Sequence, residues 1–156
     1  MDPVYLTRAG YEKLMKDLEN LKKERLKIAD AIEEARLQGD ISENAEYDAA
    51  KDAQAHNHAQ MMDLEGKLTS VRIIEDENIP ADRVYIGAIV KIIDLETDEK
   101  MTYQLVSPEE ADYENNKLSI LSPVGRGLMG KAKNEEIDIE VPAGNLKYKI
   151  QSIKRP

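Results

Sequence analysis

The sequence predicts an α+β chain, in which an N-terminal antiparallel α-helical coiled-coil hairpin precedes a small C-terminal antiparallel β domain. Three observations predict it. Residues recur in alternating steps of three and four from Tyr11 to Ala35 and again from Tyr47 to Val71, nearly all of them apolar in the first run, which is the seam spacing of a coiled coil. The polar stretch "EDENIPADR", residues 75–83, contains Pro80 and breaks that spacing. Beyond it, apolar and polar residues alternate in short runs separated by turn formers, the period of half-buried strands. The 156 residues therefore divide into a hairpin over 1–75, a linker over 76–83 and a β-rich part over 84–156.

In "LTRAGYEKL", Thr7 is suited to cap the first helix, with Leu6 and Tyr11 spaced to pack across the cap. The first seam runs Tyr11, Leu14, Leu18, Leu21, Arg25, Ile28, Ile32 and Ala35, and Arg25 is its only charge. Gly39 suits the left-handed position that ends many helices. The second seam runs Tyr47, Ala50, Gln54, Asn57, Met61, Leu64, Leu68 and Val71. If the two pair antiparallel, Tyr11 faces Val71, Leu14 faces Leu68 and so on to Ala35 facing Tyr47, and the position numbers total 82 in every layer, placing the fold point at residue 41. Arg25 then meets Asn57 in a polar layer that sets register. Ala35, Ala49 and Ala50 make the tip slim, and about 30 residues per helix at 1.5 Å each give an arm of roughly 45 Å.

"VYIGAIVKIIDL", "KMTYQLV", "KLSIL", "EIDIEV" and "LKYKIQSI" read as strands, with "ETDE" and "PAGN" as two of the turns. "SPVGRGLMGK", residues 122–131, reads as a loop with one helical turn.

Composition narrows the function. The chain carries 22 basic and 31 acidic residues, a net charge of -9, which repels duplex phosphates and argues against autonomous sequence-specific DNA binding. It has no cysteine, which excludes disulfides, thiolate zinc sites and a thiol nucleophile, and fits a reducing cytoplasm. The opening "MDPVYLTRAG" lacks the pattern of a secretory signal, and no apolar run of about 20 residues follows, so a soluble, cytoplasmic protein with no membrane partner is expected. The two seams satisfy each other within one chain, so a monomer is expected.

The fold point holds two carboxylates, Asp40 and Glu43, three positions apart. One reading makes them an acidic capping box for the second helix, with both charges at its positive end. The other makes them half of a Mg²⁺ site, because this ion takes one or two protein carboxylates and completes its shell with water and phosphate oxygens. His56 and His58 are two apart, point to different helix faces and are not read as ligands. Ser107, Ser119 and Ser122 have no histidine or lysine arrangement nearby in the chain, and "GRGLMGK" lacks the spacing of a phosphate loop.

"LTRAGYEKLMKDLENLKKER", "QGDISENAEYDAAKDAQ" and "SPVGRGLMGK" together resemble the bacterial Gre transcript cleavage factors, and among these the GreA branch, over essentially the whole chain. The resemblance implies an FKBP-like fold for the C-terminal domain. It implies insertion of the hairpin through the secondary channel of RNA polymerase, with Asp40 and Glu43 at the active centre of a backtracked complex. There the family's tip acids help to hold a second Mg²⁺, shared with the polymerase and not bound stably by the factor alone, and promote hydrolysis of the nascent RNA at its 3′ end. Ser42, Asn44 and Tyr47 match the tip and would support it, although Tyr47 is equally a seam residue. Ser122, Pro123, Arg126, Leu128 and Met129 match the region that docks on the polymerase. The family's basic patch on the arm is less evident, since residues 1–38 hold eight basic and eight acidic side chains, among them Lys16, Lys22, Lys23 and Lys27. Prolyl isomerase activity, which an FKBP-like fold raises, is set aside because the chain has no Trp and no Phe to build an aromatic pocket.

The expectation is a transcription elongation factor that stimulates the polymerase's own cleavage activity and is not an enzyme in its own right. The alternative is a channel-binding inhibitor of the same architecture without cleavage activity. A hairpin chaperone is disfavoured, because Ile41 is the only apolar residue near the tip.

Overall fold

The computed structural model describes residues 3–39 and 44–156. By contact it falls into two units, one spanning Tyr11–Ser70 and the other comprising residues 3–10 together with Val71–Pro156.

The first unit is built from α1 (Arg8–Leu37), whose first turn belongs to the other unit, and α2 (Ala45–Leu68). Every predicted seam residue is buried or half-buried except Arg25, which is exposed; Leu18, Ala35, Asn57 and Met61 lie deepest. Seam spacing thus selected the inward faces correctly as far as Leu68, whereas Val71, read as the last seam residue opposite Tyr11, lies outside α2 in the strand Val71–Ile73, because α2 has already ended. The expected layer of Arg25 with Asn57 does not form, and Asn57 instead donates its amide to the Leu21 carbonyl at 3.0 Å. That carbonyl opens the turn that closes on Arg25, so the asparagine sits at its counted height with a backbone partner. The reason is desolvation: a guanidinium reaches water on its long stem, whereas a short buried amide must find a partner within the seam. Gly39 has no positive φ, so the expected left-handed stop is absent. α1 closes instead with a tighter bond from the Gln38 N–H to the Ala35 carbonyl, at 3.3 Å.

In the second unit, Thr7 caps α1 as expected, its Oγ1 accepting from the Gly10 N–H at 3.0 Å. Two distant carboxylates finish the cap. Glu110 accepts from the Thr7 N–H at 2.8 Å and from the Thr7 hydroxyl, while Glu75 accepts from the Arg8 N–H at 2.9 Å. These anions meet backbone donors that a helix start leaves unpaired. Just before the cap, β1 (Val4–Leu6) pairs in parallel with β2 (Val71–Ile73), Val4 opposite Val71 and Leu6 opposite Ile73. Residues 4–10 therefore belong with the β-rich unit, whereas the sequence reading placed the whole of 1–75 in the hairpin.

The main sheet contains β3 (Ile89–Asp94), β4 (Lys100–Val106), β5 (Lys117–Ser119), β6 (Glu136–Val141) and β7 (Gly144–Lys154), in the order β5-β4-β3-β7-β6. Three of its pairings are antiparallel, but β4 and β5 are parallel, with Leu105 opposite Leu118, so the sheet is mixed and not purely antiparallel. The cause is the connection through residues 107–116, whose two short 3₁₀ turns carry the chain back to start β5 in the direction of β4. Alternation selects the core: Val90 and Ile92 on β3, Ile137 and Ile139 on β6, and Tyr148 and Ile150 on β7 are buried, while Lys91, Glu136 and Asp138 between or beside them are exposed. Each full burial of such an aliphatic side chain contributes about 1.5–3 kcal/mol.

Burial raises the pKa of the Tyr148 phenol above its ordinary 10.0, with Asp94 directly across the strand pair, Tyr103 and Glu99 adding to the shift. Unfolded chains therefore lose this proton first as pH rises. The stabilisation it provides is complete below about pH 10 and is lost as pH rises through the folded value. Tyr148→Phe is expected to flatten the decline of the melting temperature between about pH 9 and 11, measured side by side with the parent chain. An identical decline in both proteins would refute this.

Candidate functional site

Asp40, Ser42 and Glu43, three of the residues singled out at the fold point, lie outside the described residues. The helix ends on either side of them are described. Asn44 occupies the N-cap of α2 with extended backbone (φ -93°, ψ 99°), and its Oδ1 accepts from the Tyr47 N–H at 3.1 Å. Its backbone carbonyl accepts the first intrahelical bond, from the Asp48 N–H at 3.1 Å. Its Nδ2 donates to the Ala35 carbonyl of α1 at 2.5 Å. Asn44, and not Asp40, is therefore the cap of α2, and Glu46 and Asp48 supply the negative charge of its first turn. Tyr47 is half-buried in the seam, the plainer of its two readings.

Arg36, the basic residue in the last turn of α1, lies 3.7 Å from Glu33 on an exposed face, a pair worth at most a few tenths of a kcal/mol. Lys16, Lys22, Lys23 and Lys27 are all exposed, with Lys23 within 3.5 Å of Glu19. His56 and His58 are exposed on α2, and among the described residues no group of three or more His, Cys, Asp or Glu could hold a metal ion.

In the β-rich unit, "SPVGRGLMGK" folds as α3 (Pro123–Leu128). Ser122 caps it, accepting from the Gly125 N–H at 3.1 Å and donating its own proton to the Ser119 carbonyl at 2.6 Å. Pro123 fits the first helical position, where no N–H is needed. Gly125 packs so closely on the Ser119 carbonyl that a Cβ has no room, and Gly130 (φ +79°) turns the chain so that its N–H reaches the Val84 carbonyl at 2.7 Å. Leu128 is fully buried in the core, which removes it from the expected docking surface: its side chain closes the sheet. Pro123 and Arg126 are exposed, Ser122 and Met129 half-buried.

Met129 also lines a groove of about 460 Å³ with Tyr5, Ile79, Pro80, Tyr85 and Ile86. Nothing local in the sequence marks it, because it joins β1, the segment read as a linker and the end of α3. Beside it the Arg155 guanidinium donates to the Ile86 carbonyl at 2.7 Å; burial lowers its pKa and the Glu75 carboxylate opposes that shift. Ser107 is buried and its hydroxyl has no partner among the described residues. Asn44 is the other feature whose structural role went unseen, although an Asn three residues before the first seam position of a helix is the signal of an N-cap.

Among the described residues no helix is long and apolar enough to cross a membrane. Residues 4–73 match the model for "Transcription elongation factor, N-terminal", and residues 79–155 match that for "Transcription elongation factor, GreA/GreB, C-term". The chain is similar to the transcription elongation factor GreA of Chloroherpeton thalassium, at 44% identity over 154 residues, 98% of each chain. It is also similar to the GreA proteins of Chlorobaculum parvum, at 47% identity with 97% of each chain covered, and Nitratidesulfovibrio vulgaris, at 41% identity covering 98% of this chain and 96% of that one. Similarity of this degree over nearly the full length shows that the chain belongs to the GreA/GreB family of transcription elongation factors.

Proposed function

We propose that this chain inserts the end of its helical hairpin into the secondary channel of bacterial RNA polymerase and stimulates the polymerase's own hydrolysis of backtracked nascent RNA near the 3′ end. The observation that carries this reading is the pair Asp40 and Glu43 between two helices whose seams pair, together with Asn44 as the cap of α2, which leaves the pair without the capping duty that would otherwise explain it. Asp40 and Glu43 would hold, together with the polymerase, a Mg²⁺ ion, whose chemistry there would be to orient and activate water for phosphodiester hydrolysis. Two carboxylates fit such an ion only as part of its shell, so the ion is shared and the factor has no turnover alone. Asp40 and Glu43 hold charge next to the reacting phosphate, and Ser42, Asn44 and Tyr47 support the segment. Ser122, Pro123, Arg126 and Met129 meet the polymerase. The factor works as a cytoplasmic monomer.

The test is a stalled, backtracked polymerase complex carrying labelled RNA and Mg²⁺, to which the chain is added. Release of a labelled 3′ fragment, faster than with polymerase alone, is the expected result. Binding that slows synthesis without releasing fragments would instead make the chain a channel inhibitor.

A further inference from the structure

One carboxamide joins the two helices of the hairpin at the end where the chain reverses. Ala35 contributes one of the last four carbonyls of α1, which have no partner within their own helix, and it receives the Asn44 Nδ2–H at 2.5 Å while the Gln38 N–H reaches it at 3.3 Å. The other end of the same amide accepts from the Tyr47 N–H at 3.1 Å. Ala35 is only 3% exposed and Asn44 is half-buried, so water competes poorly for either bond.

This arrangement demands an amide. A carboxylate at position 44 caps a helix as well as an amide does but has no proton for Ala35, and places charge against a carbonyl oxygen instead. A serine caps through one hydroxyl that is too short to reach a second helix while doing so. Capping alone therefore accounts for Oδ1 but not for Nδ2.

We propose that Asn44 is a positioning residue: its amide ties the last turn of α1 to the first turn of α2, fixing the separation that residues 40–43 must span, and thereby sets the rate of the cleavage the factor stimulates. This rests on the reading under "Proposed function". It acts through the spacing of the helix ends and not by touching RNA or metal.

The experiment compares the parent chain with Asn44→Asp, Asn44→Ser and Asn44→Ala in the backtracked complex, at saturating factor and as a titration, alongside amide hydrogen exchange of the free proteins. The Asp and Ser variants are expected to keep helix content and half-saturating concentration, to lose on the order of tenfold in maximal cleavage rate, and to exchange the Gln38 amide about tenfold faster, the scale of one net hydrogen bond. Equal maximal rates for Asn44→Asp, Asn44→Ser and the parent, with only Asn44→Ala impaired, would reduce Asn44 to a cap and overturn the proposal. Unchanged exchange at Gln38 in both the Asp and Ser variants would overturn it without reference to cleavage. If the parent chain itself releases no fragment, the functional reading fails, and the exchange result still decides whether the amide ties the helices.

Discussion

Asp40→Asn combined with Glu43→Gln is expected to abolish stimulated RNA cleavage while leaving polymerase binding intact. Asn44 fills the N-cap of α2 and accepts from the Tyr47 N–H through its own side chain, so neither exchange touches the bond that starts the helix. Both exchanges nearly preserve volume, and each removes one negative charge from where the proposed mechanism needs it beside a divalent ion and a developing phosphorane charge. Neutral amides are poor ligands for a hard cation compared with carboxylates. A loss of about 100-fold or more in stimulated rate follows, the scale on which deleting one well-placed charge-stabilising group slows a reaction. The measurement is the 3′ fragment released per minute at saturating factor, with binding checked by competition against the parent chain. Near-parental cleavage by the double variant would remove both carboxylates from the mechanism.

Gly125→Ala is expected to be among the most damaging single-methyl additions to the chain. The Cβ would fall on the Ser119 carbonyl, with the Ser119 carbon at 3.0 Å and the Ser122 hydroxyl oxygen at 2.9 Å. Those are atoms of the backbone and of the cap of α3, and the strand behind them is tied to β4 through Val106 opposite Ser119. Nothing flexible can yield, so the start of α3 must move away from β5 while fully buried Leu128 is pulled from the core. Overpacking of this kind costs about 3 kcal/mol, or roughly 10–20 °C in melting temperature for a unit of this size. The matched comparison is Gly66→Ala, inside α2 with open space around its Cβ, where the same methyl should stabilise by about 0.5–1 kcal/mol. Thermal unfolding of the two variants should therefore shift in opposite directions. A shared sign would mean that local space does not govern either site.

Much of the fold was legible because its information is periodic and local. Steps of three and four picked out the inward face of both helices, from Leu18 to Ala35 on α1 and from Asn57 to Met61 on α2. Period-two alternation found all five strands of the main sheet, and the glycine-rich stretch 122–131, read as a loop with one helical turn, holds the short α3. Site reading succeeded where a residue's chemistry suits only one backbone position, as with Thr7. It failed where two chemistries compete for one side chain. Arg25 was placed in a seam that its charge escapes, and Leu128 was placed on a surface although its burial closes the sheet.

Taken alone, the sequence determined the two helices, the seams that face each other, the end of the first helix near residue 38, the strand segments and the exclusion of cysteine chemistry. Each depends on spacing within one stretch of chain, which repeats often enough to average out a single misfit residue. Tertiary structure decided the rest. β1 is only three residues long and exists because Val71–Ile73 lies beside it; β5 runs parallel to β4 because of the path between them; Glu110 reaches back over a separation of 103 residues to the cap of α1. The Asn44 amide belongs to the same class, since its cap is local but its bond to Ala35 is not. Such pairings are single contacts between distant segments, and a single contact leaves no period in the sequence to read.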